Sequence, residues 1–201
     1  MVRLPITSSL NGVFMNRREF FLGLTALPLL TLASRSFAAP PASMKEIETM
    51  QKNWKALLAD NASVAAGATP PLTLSSTEWK KKLPAAAFNV LREEGTEYAG
   101  SSPLNNEKRA GVFVCAGCDL PLFTSAMKYD SGTGWPSFFT TIPGVFGTTT
   151  DHKLLYPRTE YHCLRCGGHH GHIFNDGPQP TGLRYCNNGV ALRFIPKATK
   201  S

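Results

Sequence analysis

The chain has 201 residues, 42% of them hydrophobic and 17% charged, the balance of an ordinary globular domain with a real core. Its formal charge of +7 invites a nucleic-acid reading, but residues 1–38 hold four arginines against one glutamate, leaving +4 for the rest. The one basic block in that remainder, Lys80 to Lys82, reads as a solvated helix face, so nucleic-acid binding is not expected.

The first organised stretch runs from Arg17 and Arg18 through apolar Phe20 to Leu32 and on to small residues at Ser36 and Ala38. That is the layout of a cleaved export signal over residues 1–38, too short to span a membrane, with cleavage after Ala38 or Ala39. The arginine pair followed by Glu19-Phe20-Phe21 is of twin-arginine type, with an ordinary secretory signal as the alternative. Either Met1 or Met15 serves as the start. No cysteine follows the cleavage region, so no stable membrane anchor is expected once the signal is gone. The mature protein is expected in the periplasm or outside the cell, exported already folded, where unpaired thiols tend to oxidise.

Ser43-x-x-Glu46 is a capping box, and Met44, Ile47, Met50, Trp54, Leu57 and Leu58 follow it at helical spacing, which predicts a helix over 44–59. Residues 61–71 are low in complexity and read as linker, so 39–75 form a helical extension and linker. A second capping box, Ser75-x-x-Glu78, opens a short helix that Pro84 interrupts and restarts. Ala85, Phe88 and Leu91 are expected on its inner face, and Gly95 ends it. From Gly111 onward the runs GVFVC, HKLLYPRTEYHC, GHIF and VALRFI are β-prone, and DSGTGWP, IPGVFG and DGPQPTG carry turn chemistry. A mainly antiparallel β domain is therefore expected over 76–197, with helices packed at its front and a short tail at 198–201.

The chemistry centres on cysteine. Cys115 with Cys118, and Cys163 with Cys166, are two Cys-x-x-Cys pairs separated by 44 residues, the spacing of a tetrahedral four-thiolate metal site. With all four positions filled such a metal is structural; zinc is favoured and iron is the alternative. Gly117 and Gly167 are expected to relieve the backbone around the sulfurs. Two local disulfides or a redox pair are the competing readings, although a thioredoxin-type pair opens a helix and no helical pattern follows either pair.

Cys186 has no intrachain partner left and is either an inert buried thiol or a reactive one. Arg184, two residues away on a strand-like run, shares its face and would stabilise a thiolate; Asn188 is expected on that face too. His169 and His172 follow the second metal pair and could transfer protons, or could be core histidines or an incidental metal-binding tract. His152 and His162 are assigned no role. Trp135, in a glycine-flanked turn before Pro136, could wall an apolar pocket or sit in the core.

Read together and in order, YDSGTGWPSF, RCGGHHGHIFNDGPQPTGLRYC and NNGVALRF, with both Cys-x-x-Cys pairs, resemble the methionine-R-sulfoxide reductases of the MsrB family, over roughly Thr77 to Pro196. The resemblance implies two antiparallel β-sheets with a few short helices and one structural zinc held by the four paired cysteines. It implies Cys186 as nucleophile, His169 and His172 as proton donors that orient the sulfoxide, and Asn188 beside them. Trp135 would line the substrate site, with Arg184 and Asp176 supporting the nucleophile and its loop. The implied reaction reduces methionine-R-sulfoxide, free or in oxidised proteins, through a cysteine sulfenic acid that a thiol must restore. One departure stands out: a large branch of the family carries a recycling cysteine where this chain has Thr133. A one-cysteine cycle served by an external thiol or thioredoxin-like protein is therefore expected. The rival readings are a non-enzymatic zinc-ribbon binding module, which has no use for Cys186, and a thiol peroxidase.

Overall fold

A computed structural model describes residues 43–58, 70–153 and 156–197; the expected export signal, most of the expected linker and the tail lie outside the described residues. Helix α1 (Met44–Lys52) starts where Ser43 accepts the Glu46 N–H at 3.3 Å and continues as a 3-10 helix over Asn53–Leu58. Met44 is solvent-exposed, so the apolar stripe of this segment begins at Ile47. Helices α2 (Ser76–Lys82) and α3 (Ala85–Glu93) flank Pro84, and the complete Ser75–Glu78 capping box opens the first of them. The inner face of α3 is Ala87, Phe88, Val90 and Leu91, while Ala85, expected inside, is exposed in the first turn.

Among the described residues nine strands follow: β1 (Gly111–Cys115), β2 (Pro121–Thr124), β3 (Lys128–Tyr129), β4 (Ser137–Phe138), β5 (Phe146–Asp151), β6 (Arg158–Cys163), β7 (His169–Phe174), β8 (Arg184–Asn187) and β9 (Leu192–Pro196). They form two antiparallel sheets, β2-β1-β9 and β3-β4-β8-β7-β6-β5. The sheets meet through aromatic side chains. Phe123 of β2 stacks on Phe138 of β4 at 3.9 Å between centroids, and Phe113 of β1 meets Phe138 edge-on at 5.1 Å. Phe138, Tyr185, Ile173 and Tyr161 share the core face of the larger sheet because their registers coincide and successive side chains alternate.

The extension is not a separate appendage. Trp54 and Leu58 are buried in the same core cluster as Val112, Phe113 and Leu122, and Gln51 Nε2 donates to Thr140 Oγ1 at 2.8 Å. Farther along, the Leu72 N–H donates to the Arg165 carbonyl at 2.7 Å, tying the chain beyond the linker to the second cysteine turn. Trp54→Ala is accordingly expected to cost roughly 3 kcal/mol of stability, read as a lower urea midpoint with an unchanged slope. A midpoint equal to wild type would show that the extension does not hold the fold together.

Candidate active site and metal centre

The register of the larger sheet builds the site. Tyr129 pairs with Ser137, Ser137 with Cys186, Cys186 with His172, His172 with Glu160, and Glu160 with Thr149, a single rung across all six strands. Cross-strand partners project to the same face, so this rung places six functional groups on the surface opposite the core. The neighbouring rung on that face carries Asp151, Arg158, Phe174 and Arg184.

Two local features make the rung possible. His162 of β6 pairs with His169 while Tyr161 pairs with Gly171, so His170 is an extra residue, a bulge in β7. Without it His169 and His172, three apart, would face opposite ways; with it their rings lie 5.5 Å apart, and His170 turns into the core. At Gly171 (φ +154°) a Cβ would lie 2.0 Å from the Cys186 carbonyl oxygen, so β7 and β8 approach closely only because no side chain intervenes.

Both histidines are anchored by carboxylates. His169 Nδ1 lies 2.7 Å from Glu160 Oε1, and His172 Nε2 lies 2.8 Å from Asp151 Oδ2, which also accepts Arg158 Nη2 at 2.5 Å. Each pairing fixes ring orientation and leaves the other ring nitrogen available. Burial pulls the His172 pKa down, with Asp151 working in the opposite direction. Asp151 itself is held well below the usual carboxylate range by the Lys153 N–H and by His172.

Cys186, half-buried, opens into a cleft of about 140 Å³ with His172, Trp135, Arg158, Phe174, Thr96 and Asn188 on its walls. His169 lines the adjacent hollow with Glu160 and Leu91. The Trp135 indole N–H donates to the Glu97 carbonyl at 3.1 Å, while the Glu97 carboxylate accepts the N–H groups of Gly189 and Val190 at 2.6 and 3.0 Å. Asp176 grips Arg184 with two bonds of 2.8 Å, and the guanidinium lies 4.4 Å from the Phe174 ring centre.

One expectation is corrected here. Strand β8 ends at Asn187, so Asn188 is not on the Cys186 strand face; its amide accepts from the Glu97 N–H and donates to the His170 carbonyl, both at 3.0 Å. Its contribution to Cys186 is thus to fix the turn after the strand. Arg184 works to lower the Cys186 pKa, as expected, but burial, the larger effect, pushes the thiol up, and Asp176 partly neutralises the guanidinium.

The four remaining cysteines converge as their spacing predicts. Cys115 Sγ and Cys166 Sγ are 3.7 Å apart, Cys118 Sγ and Cys163 Sγ 3.6 Å, and all four lie within 4.8 Å of one another. Disulfide sulfurs sit near 2.05 Å, whereas a tetrahedron with metal–sulfur bonds of about 2.3 Å has edges of about 3.8 Å. The cluster fits a metal ion. Its two turns match: Asp119 (φ 60°) returns its N–H to the Cys115 carbonyl at 2.8 Å, and Gly167 (φ 67°) does the same to Cys163 at 2.8 Å. Left-handed backbone therefore falls on Asp119 in the first turn and on Gly167 in the second; a Cβ at Gly117 would lie 3.5 Å from Cys166 Sγ and 3.6 Å from Cys115 Sγ, ordinary contact distances. The first turn joins β1 to β2 and the second joins β6 to β7, so an ion here would clip one sheet to the other beside the strand that carries both histidines.

Sequence reasoning missed Glu160, Asp151, Arg158 and Glu97. The alternation of Arg158, Glu160 and His162 around buried Tyr161 and Cys163 was a legible strand signal; Glu97 sits in a loop that carries none.

A half-buried cysteine and a carboxylate-held histidine on one rung, with arginines on the next and an aromatic wall beside them, define a thiol-based enzyme on a β scaffold whose four-cysteine cluster can hold a metal. Residues 83–196, more than half the chain, match the SelR domain. The chain is 47% identical over 121 residues to "Peptide methionine sulfoxide reductase MsrB" of Leptospira interrogans, covering 60% of this chain and 92% of that one. Against the Agrobacterium fabrum protein of the same name it is 44% identical over 129 residues, 64% and 96% of the two chains. Against "Methionine-R-sulfoxide reductase B2, mitochondrial" of Homo sapiens it is 46% identical over 139 residues, 65% and 76%. The chain belongs to the SelR-domain family, the MsrB methionine sulfoxide reductases.

Proposed function

We propose that this protein reduces methionine-R-sulfoxide to methionine, with Cys186 as nucleophile. One observation carries the reading: in a chain of this family, Cys186, His172 and Trp135 line a single cleft. The sulfoxide sulfur is electrophilic, but its oxygen leaves only as it is protonated. Cys186 Sγ attacks that oxygen-bearing sulfur centre as His172, oriented by Asp151, delivers a proton to the oxygen. His169, oriented by Glu160, adjoins His172 and completes the proton path. The sulfur–sulfur bond so formed breaks as the hydroxyl passes to Cys186 Sγ, its electron pair leaving with methionine and a cysteine sulfenic acid remaining, so one sulfur is reduced and the other oxidised. Trp135 seats the methyl group and thereby selects one epimer at sulfur.

The thiolate pair needed at attack exists once a proton moves from Cys186 to a histidine. Burial disfavours each charge separately; formed together they attract, and the sulfoxide oxygen then receives that proton from the histidine. Zinc suits the four-cysteine cluster and, bound there, supplies rigidity; no vacant position remains for substrate.

Recycling needs two thiols from outside. The first attacks the sulfenic sulfur, releases water and leaves a mixed disulfide; the second releases the external disulfide and restores the Cys186 thiol. The other four cysteines are gathered at the metal cluster, and Thr133 stands in the SGTGWP turn. Each sulfoxide epimer supplied with dithiothreitol tests the reading: turnover of the R epimer alone is expected, and equal turnover of both would overturn it. Intact mass after one turnover without reductant should show one added oxygen; an internal disulfide to Cys186 would refute the one-cysteine cycle. The arginine pair and apolar run before Ala38 support export in the folded state, for which fractionation of expressing cells is the test.

A further inference from the structure

Every polar group of Glu97 is engaged in the site. Its N–H donates to Asn188 Oδ1 at 3.0 Å, and its carbonyl accepts the Trp135 indole N–H at 3.1 Å. Its carboxylate accepts the N–H groups of Gly189 and Val190 at 2.6 and 3.0 Å. Trp135 stands on the loop before β4, whereas Asn188 and Gly189 come directly after β8, the strand of Cys186. Glu97 therefore ties the aromatic wall of the cleft to the turn beyond the nucleophile, and its neighbour Thr96 lines the same cleft.

The loop fixes the backbone of Trp135 but not its ring. The Asn187 N–H donates to the Pro136 carbonyl at 2.9 Å, and the Gly100 N–H and Asn105 Nδ2 both donate to the Gly134 carbonyl at 2.7 Å. These bonds hold the chain on either side of Trp135 and leave its side-chain torsions undetermined. The indole has one polar atom, a donor, and the acceptor it meets is the Glu97 carbonyl. That carbonyl lies in a loop between α3 and Pro103, so its position depends on what holds Glu97. The hold is the carboxylate, bonded at the start of the 3-10 turn Gly189–Ala191 by charge-assisted bonds, stronger than neutral ones. The packing leaves no slack: a Cβ at Gly189 would lie 1.9 Å from Ser102 Oγ and 3.2 Å from Glu97 Oε1.

We propose that Glu97 is a positioning residue that sets the gap between the Trp135 ring and the Cys186 side of the cleft, and with it the size and handedness of the sulfoxide the site accepts. The clamp belongs to the proposed reduction and rests on that reading of the site. With the sulfoxide oxygen at His172 and its sulfur in line with Cys186 Sγ, the two carbon substituents exchange places between epimers. In a cleft of about 140 Å³, a fixed ring admits a methyl group on its side and rejects the longer arm. A ring free to swing admits both.

Two measurements on the metal-loaded protein test the clamp. The first, without substrate, is hydrogen exchange of the Trp135 indole proton by NMR, its signal assigned with Trp135→Phe. Glu97→Ala keeps the carbonyl but loses its anchor, so exchange should be at least about tenfold faster. The second compares the R-sulfoxides of methionine and of its S-ethyl analogue, with dithiothreitol as reductant. Glu97→Ala should raise KM for the methyl substrate about tenfold and reduce the methyl-over-ethyl preference by about as much. Alkylation of Cys186 by iodoacetamide should stay near the wild-type rate, because β4 and β7 hold β8. A loss of stability alone would lower both substrates alike and leave their ratio unmoved. Glu97→Gln, which keeps one of the two carboxylate oxygens, should fall between. Unchanged indole exchange, or an unchanged methyl-to-ethyl ratio, in Glu97→Ala overturns the proposal. If Glu97→Ala does not fold, judged by its thermal transition, Glu97→Gln decides in the same way. Faster exchange in a protein whose wild type does not reduce the R epimer would leave the clamp on Trp135 standing and sink the reductase reading; R-epimer turnover with unmoved exchange would do the reverse.

Discussion

Cys186→Ser is expected to lose at least about a thousandfold in reduction of methionine-R-sulfoxide, with the fold and metal content unchanged. A serine hydroxyl is a far weaker nucleophile at neutral pH, and the site offers no second sulfur to take the oxygen. The four other cysteines are buried in the four-cysteine cluster, at and beyond the ends of β1 and β6, while Cys186 alone opens into the cleft with Trp135 and His172. Steady-state turnover with dithiothreitol checks the loss, and a melting curve checks the fold. The free protein adds a signature. Because burial raises the Cys186 pKa above its ordinary value, the thiolate fraction is small at neutral pH and grows as pH rises through that higher value. Alkylation in the absence of substrate should therefore be slow at pH 7 and speed up at pH values above the usual cysteine range. Fast alkylation at pH 7 would mean that Arg184 outweighs burial, and turnover surviving in Cys186→Ser would remove this sulfur from the reaction.

Loss of the metal is expected to be nearly as severe, though through stability. Structural zinc contributes about 10–16 kcal/mol in small finger domains, comparable to the whole net stability of a typical domain. This protein has a core of its own, so part of that loss would be tolerated. Yet the cluster links the β1–β2 turn of one sheet to the β6–β7 turn of the other, and four thiols packed within 4.8 Å make a poor core without a cation. Cys118→Ser should bind well under half an equivalent of metal and melt at least about 10 °C lower. Its activity should fall with it, since β7 leaves the second turn directly into His169 and His172. Elemental analysis, thiol titration and a thermal scan decide the matter. Wild-type protein with little zinc or iron and no free thiols beyond Cys186 would favour disulfides and defeat the metal reading.

Much of this architecture could be read before any coordinates. Cys115, Cys118, Cys163 and Cys166 announced themselves because a metal turn is local: two residues between sulfurs fix the approach of each pair, and only the meeting of the pairs is long-range. The helices were legible for the same reason, since caps and a 3.6-residue stripe are short-range signals, as was β1, whose run GVFVC is continuous and apolar. Strands β3 and β4 have two residues each, too short for alternation to register, and β5 is a threonine-rich run beside turn residues. The sequence could name Cys186, His169 and His172, but it could not put them on one side of a sheet.

Tertiary structure decided that placement. Two histidines three apart share a face only because an extra residue bulges β7, and the bulge shows itself only in pairing with β6. Asp151, Glu160 and Glu97 gain their meaning from neighbours up to 93 residues away, contacts that no local pattern encodes. Even the charge state of Cys186 escaped the sequence. A nearby arginine is visible in the chain, whereas the burial that opposes it, and the aspartate that partly cancels it, exist only once the strands have paired.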